Sequence, residues 1–198
     1  AFDDAVRAAC VLAQSPAAAG LPGYRASAVQ PRVVTEPTKH DTDDPAFWIP
    51  ADRARTLVIG TDKHTDGALY AYDLAGKIVH RAGGLKRPNN VDVAYGLMLD
   101  GKPVDIAVTT ERELYRLRIF RLPELVPVDR GNLMVFNGDP LRAPMGVALY
   151  KRPRDGAQFV FVGGKSGPAE GYLSQYRLED DGTGHVQMTL IRQFGAYS

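Results

Sequence analysis

The sequence predicts an all-β chain forming part of a β-propeller, and three observations carry that expectation. Three segments read as a strand running into a cation: TLVIGTDK ending at Lys63, VDIAVTTER at Arg112 and QFVFVGGK at Lys165. Their spacings of 49 and 53 residues suit a blade-sized repeat with four short strands in each copy. Each cation is followed by a further strand, ALYAYDL, LRIFRL or YLSQYRL. Twenty Gly and fourteen Pro in 198 residues punctuate the chain as turn-dense β-proteins require.

Taken in order, residues 1–26 read as an N-terminal extension. Asp3 to Leu12 has the pattern of a short amphipathic helix with acids in its first turn, and SPAAAGLPG reads as a linker. Residues 27–198 hold the propeller part. The first unit contains PAFWI, TLVIG, ALYAYDL and IVHRA. The second contains NVDVAYGL, VDIAVTT, LRIFRL and LMVFN, and the third GVALYK, QFVFVG, YLSQYRL and VQMTLIRQF. Hairpin chemistry at Asp66-Gly67, Ala75-Gly76-Lys77, Asp100-Gly101-Lys102 and Asp181-Gly182 separates them. Propellers close with about four to eight blades, so three units leave strand edges open. Those edges are expected to meet the remaining blades or to self-associate.

Composition narrows the class. A net charge of +1 gives no global field for nucleic acid or a membrane surface, so anion binding must be local. Cys10 is the single cysteine, which excludes an internal disulfide and a Cys-based zinc site. No run approaches the roughly 18 apolar residues of a membrane span. The first residue is Ala, consistent with a removed start or leader, and the expected setting is secreted or periplasmic.

The densest chemistry lies in HDTDDPAFW. Asp41, Asp43 and Asp44 crowd three carboxylates ahead of a strand that Pro45 stiffens. Such like charges repel unless a cation neutralises them, and calcium takes clustered carboxylate oxygens. The competing reading is a solvated turn capped by Asp. In RPNNVDV, the residues Asn89, Asn90 and Asp92 open the first strand of the second unit, as Asp43 and Asp44 do in the first. Asn90 and Asp92 are two apart, hence on one face of an extended strand, and form an oxygen-only pair suited to calcium. The third unit places Pro144-Met145-Gly146-Val147 there and supplies no ligand.

Lys63, Arg112 and Lys165 close the second strand of all three units, so the repeat gathers them at one mouth. A single such Lys is ordinarily solvated. Three in register suit a multiply phosphorylated ligand, which Arg grips bidentately and Lys meets as a point charge. Gly163-Gly164 before Lys165 allow close backbone approach, and Ser166 adds a hydroxyl donor. His40, His64, His80 and His185 are isolated from one another in sequence and lack metal-ligand spacing. No Ser-His-Asp order or GxSxG elbow is present, which disfavours a side-chain nucleophile.

HDTDDPAFWIP, GTDK with GALYAYDLAGK, RPNNVDVAYG, VDIAVTTER and GGKSGPAEGYLSQYRL together resemble the N-terminal half of a β-propeller phytase. The resemblance runs in order from Thr35 to Phe194. It implies half of a six-bladed propeller whose calcium ions, at one mouth, hold the phosphates of myo-inositol hexakisphosphate (phytate). It further implies a 3-phytase-type phosphoric monoester hydrolase using metal-activated water. Carried over, Asp43 and Asp44 match a calcium-binding acidic pair and Asn90 and Asp92 a second ligand set. Lys63, Arg112 and Lys165 match the phosphate-binding cations. Met145 replaces a Tyr, Ser166 a Glu and Glu111 an Asn found in some members, and further calcium-binding acids are expected beyond Ser198. Two other readings are a non-catalytic partial propeller that binds phosphate and a scaffold for protein partners. Clustered acids at the mouth count against the scaffold.

Overall fold

The computed structural model describes residues 30–196, so the helix and linker expected in residues 1–26 lie outside the described residues. Among the described residues no helix is long and apolar enough to cross a membrane. Three antiparallel sheets follow one another along the chain. Blade 1 is β1 (Thr42–Trp48), β2 (Leu57–Asp62), β3 (Gly67–Tyr72) and β4 (Ile78–Leu85), paired in chain order. Blade 2 has β5 (Pro88–Leu99), β6 (Lys102–Glu111), β7 (Arg116–Arg121), β8 (Val126–Pro127) and β9 (Leu133–Met134). Blade 3 has β10 (Pro144–Lys151), β11 (Gln158–Gly164), β12 (Glu170–Asp180) and β13 (Val186–Ala196).

Alternation along each strand builds two cores, one on each face of blade 2. On β6, Ala107 joins Trp48, Ile59, Leu69 and Phe120 between blades 1 and 2. Its neighbours Ile106 and Val108 join Leu117, Ile119, Val160 and Val162 between blades 2 and 3. This is sheet-face-on-sheet-face packing, as successive blades require. The β5–β6 turn carries Asp100 at φ 48° and Gly101 at φ 69°. Two consecutive left-handed residues are what a two-residue hairpin turn demands.

The expected fourth strand of the second unit, LMVFN, forms only at its first two residues, Leu133–Met134. Two two-residue strands, β8 and β9, pair with β7 in place of one continuous strand, and Phe136–Gly138 is a 3-10 turn. The cause is Asp129. Its buried carboxylate accepts the Ile119 N–H at 2.7 Å, the Arg118 Nε–H at 3.0 Å and the Gly131 N–H. A side chain thereby takes the place that a continuous strand would hold along β7. Alternating hydrophobicity in LMVFN could not reveal that substitution.

The first strands carry the same defect in all three blades. Thr42 pairs with Asp62 but Pro45 with Gly60. Pro88 pairs with Glu111 but Val91 with Thr109, and Pro144 with Gly164 but Val147 with Val162. Three residues opposing two is a β-bulge. Asp43-Asp44, Asn89-Asn90 and Met145-Gly146 therefore occupy equivalent bulge positions.

A hydroxyl ties each bulge to the next. Thr61 Oγ1 accepts the Asp44 N–H at 2.9 Å and donates to the Asn89 carbonyl at 2.9 Å. One blade later, Thr110 Oγ1 accepts the Asn90 N–H at 3.2 Å and donates to the Met145 carbonyl at 2.9 Å. Carboxylates add further links: Asp44 Oδ2 accepts the Val91 N–H at 3.0 Å and Asp92 Oδ2 the Leu149 N–H at 2.7 Å. These bonds set β1, β5 and β10 side by side as the inner strands. Thr110→Val keeps the shape but strands a donor and an acceptor, and is expected to cost about 1–3 kcal/mol. Urea unfolding checks this, with Thr110→Ser expected near the parent; an unchanged midpoint for the valine variant would exclude a stabilising role.

Residues 36–41 form a strap along blade 1. Glu36 holds the β3–β4 turn by accepting the Ile78 N–H at 2.8 Å and pairing with Lys77 at 3.0 Å. The Ile78 N–H, then Lys77, draw its carboxyl below the usual range. Lys39 N–H then donates to the Tyr70 hydroxyl, and His40 and Asp41 reach the opposite end of the blade.

Candidate active site

The cations extend the bulge register by one residue. Each follows the second strand and donates its backbone N–H to the residue preceding the first strand. Lys63 bonds the Asp41 carbonyl at 2.7 Å, Arg112 that of Arg87 at 3.2 Å, and Lys165 that of Ala143 at 2.8 Å. Identical backbone placement puts all three at one end of the blades, the end at which the bulges lie.

Buried acids immediately before two of these cations fix this end. Asp62 is fully buried and accepts the His40 and Asp41 N–H groups at 3.2 and 2.8 Å. Glu111, also fully buried, accepts the Lys86 N–H at 2.6 Å and pairs with Arg116. His40 and Lys86 hold equivalent positions, so each acid secures the entry to its blade's first strand. Asp62 and Glu111 were not among the candidates read from the sequence. A signal was available: Thr61-Asp62-Lys63 and Thr110-Glu111-Arg112 repeat hydroxyl, acid, cation, whereas Gly163-Gly164-Lys165 lacks the first two.

The side chains divide by blade. Lys63 Nζ lies 2.7 Å from Asp43 Oδ1 and 3.9 Å from Asp41 Oδ2. Arg112 Nη1 donates to Asn89 Oδ1 at 3.3 Å, and its Nε is buried without a partner among the described residues. Burial, then the neighbouring Arg87, pull the Arg112 guanidinium below its ordinary pKa, against Asp43 and Glu113. Asp43, Lys63, Asn89 and Arg112 therefore form one cluster across blades 1 and 2. Lys165 is exposed on blade 3. Ser166 donates its hydroxyl to the Leu141 carbonyl at 3.2 Å, beside a recess of about 390 Å³ lined by Leu141, Arg142, Gly167 and Pro168.

The proposed metal ligands have mixed commitments. Asn90 Oδ1 accepts from Asn89 Nδ2 at 2.6 Å. The bulge separates Asn90 from Asp92, whose two oxygens accept the Val93 and Leu149 N–H groups. Asp43 and Asp44 each keep one carboxylate oxygen, Oδ2 and Oδ1, without a hydrogen bond among the described residues. The donor chemistry fits a hard cation, but no three His, Cys, Asp or Glu side chains gather around one point among the described residues. Calcium takes six to eight oxygens, more than these residues offer.

The histidines are not all isolated, as the sequence had suggested. The strap stacks His40 on His64 with centroids 3.9 Å apart. Asp66 lies 3.8 Å from His40 Nε2, and its carboxyl is held low chiefly by Lys39 at 2.7 Å.

Three inner strands joined bulge to bulge, with a cation closing each second strand, define a partial propeller with a cationic mouth. The sequence model of the phytase family matches residues 4–198, and the chain belongs to that family. The match begins well before Thr35, so the family pattern includes the N-terminal segment that the sequence reading had set outside it. The chain is also 32% identical over 162 residues to a 3-phytase of Bacillus subtilis (strain 168). That alignment covers 77% of this chain and 39% of the relative's length.

Proposed function

We propose that this chain is the phosphate-gripping part of a calcium-dependent phosphomonoester hydrolase acting on phytate. The observation that carries the proposal is the repeated placement of Lys63, Arg112 and Lys165 at one end of three blades. Family membership and likeness to a 3-phytase support it. Lys63 and Lys165 meet phosphate oxygens as point charges, and Arg112 presents a fork whose buried Nε–H has no partner among the described residues. Their role is to bind and orient phosphates and to offset charge on the equatorial oxygens during transfer. Asp43 and Asp44 would hold calcium together with ligands from outside the described residues, Asn90 and Asp92 lending oxygens nearby. Calcium supplies Lewis-acid charge that acidifies water for attack on phosphorus. The secreted or periplasmic setting belongs to the same proposal.

The incomplete acid set favours phosphate binding without turnover for the 198-residue chain alone. Phosphate release from phytate, with calcium or a chelator, separates the two readings. Full-length protein is expected to turn over only with calcium, and the isolated chain to show little activity. Lys165→Ala in the full-length protein is expected to lower kcat/KM roughly tenfold, the effect of one charge-assisted contact. His40→Ala is expected to stay near the parent. Equal turnover in chelator, or an unaffected Lys165→Ala variant, would defeat the assignment.

A further inference from the structure

Arg87 is held at the mouth by a weave of three loops. Its N–H donates to the His64 carbonyl at 2.9 Å, and its own carbonyl accepts the Arg112 N–H at 3.2 Å. The flanking Lys86 N–H is capped by Glu111, and the Lys86 carbonyl accepts the Glu113 N–H at 3.3 Å. Thr65 Oγ1 closes the weave by donating to Glu113 at 2.8 Å. Blade 1, the connection to blade 2 and the turn after β6 are thus locked at one seam.

Within that seam Arg87 adopts φ 60°, a left-handed conformation that is strained for a non-glycine residue. The side chain so placed is exposed and makes no ion pair among the described residues. Arg112 beside it also makes none, and its buried Nε–H has no partner among the described residues. The equivalents of Arg87 are Asp41 in blade 1 and Ala143 in blade 3, so the repeat does not impose a cation here. Two neighbouring guanidiniums with no ion-paired acid among the described residues, on a backbone that cannot easily move apart, are relieved by an anion that both can grip.

We infer that Arg87 and Arg112 form a two-arginine subsite for one phosphate group of a polyphosphorylated ligand, with Arg87 setting preference for ligands that carry several phosphates. This deepens the proposed phosphohydrolase and rests on it for the identity of the substrate. Arg112 grips the phosphate from the buried side and Arg87 from the solvent side, at the seam between blades 1 and 2.

The test reads binding apart from turnover. Full-length protein and its Arg87→Ala and Arg87→Lys variants are titrated calorimetrically with myo-inositol hexasulfate, a non-hydrolysable hexa-anion, at two salt concentrations. Arg87→Ala is expected to weaken binding about tenfold and to flatten its salt dependence. Arg87→Lys is expected to recover the salt dependence but only part of the affinity, because it restores charge without the fork. In hydrolysis assays Arg87→Ala is expected to raise KM for phytate, with a smaller loss on p-nitrophenyl phosphate. Parent-like hexasulfate binding by Arg87→Ala, no hexasulfate binding by the parent, or an equal loss on both substrates would overturn the inference. If phytate is not hydrolysed but Arg87→Ala still weakens hexasulfate binding, the proposed activity falls and the subsite stands.

Discussion

Glu111→Ala is expected to lower the unfolding free energy by about 3–5 kcal/mol, the usual cost of breaking a buried ion pair from one side. Glu111 is completely inaccessible, and the side chain of its partner Arg116 is 21% exposed. Removing the carboxylate leaves Arg116 with the Gly131 carbonyl alone and strips the Lys86 N–H of its acceptor. Glu111→Gln keeps an acceptor but loses the charge, so it is expected to fall between alanine and the parent. Urea unfolding followed by tryptophan fluorescence measures all three, because Trp48 sits in the core between blades 1 and 2. An alanine variant within about 1 kcal/mol of the parent, the effect of an ordinary surface change, would show that Glu111 is not a structural cap.

Arg112→Ala in the full-length protein is expected to reduce kcat/KM for phytate by a factor on the order of 10²–10³, the loss typical of removing one preorganised donor to developing charge. The backbone of Arg112 is held by the Arg87 carbonyl whatever its side chain, so the fold is expected to survive. Arg112→Lys restores a charge without the planar fork and is expected to recover a minor part of the activity. Steady-state kinetics beside a thermal melt separate the two effects. Parent-like kcat/KM in the alanine variant would remove Arg112 from the phosphate site.

The sequence revealed the blades because their strands alternate cleanly and their turns carry Gly and Asp. TLVIGTD, ALYAY and VDIAVTTE appear in the structure close to where the pattern placed them. The fourth strand of blade 2 was illegible for a physical reason: Asp129, a turn-former by composition, is drawn into the β7 edge as a buried acceptor. The cations were legible because they repeat. The bulges were not, since Asp43-Asp44, Asn89-Asn90 and Met145-Gly146 share a backbone irregularity and no residue type. Arg87 was hidden for the same kind of reason, its importance lying in a left-handed φ and a pair of backbone bonds. The stacking of His40 on His64 depends on where the strap travels, 24 residues of sequence apart.

The bulges separate inheritance of shape from inheritance of charge. At the first bulge position, Asp43, Asn89 and Met145 put an acid, an amide and a thioether on one backbone form, and the ladder pairs alike beneath each. The side chain there is not needed to make the bulge, so a lineage can retune the electrostatics of the mouth at this position with little penalty in folding. The adjoining position in blade 1 is not free in that way, because the carboxylate of Asp44 also satisfies the Val91 N–H. Folding by itself therefore leaves the first bulge position open to whatever the mouth must bind, and restrains the second wherever an acid bridges to the next blade.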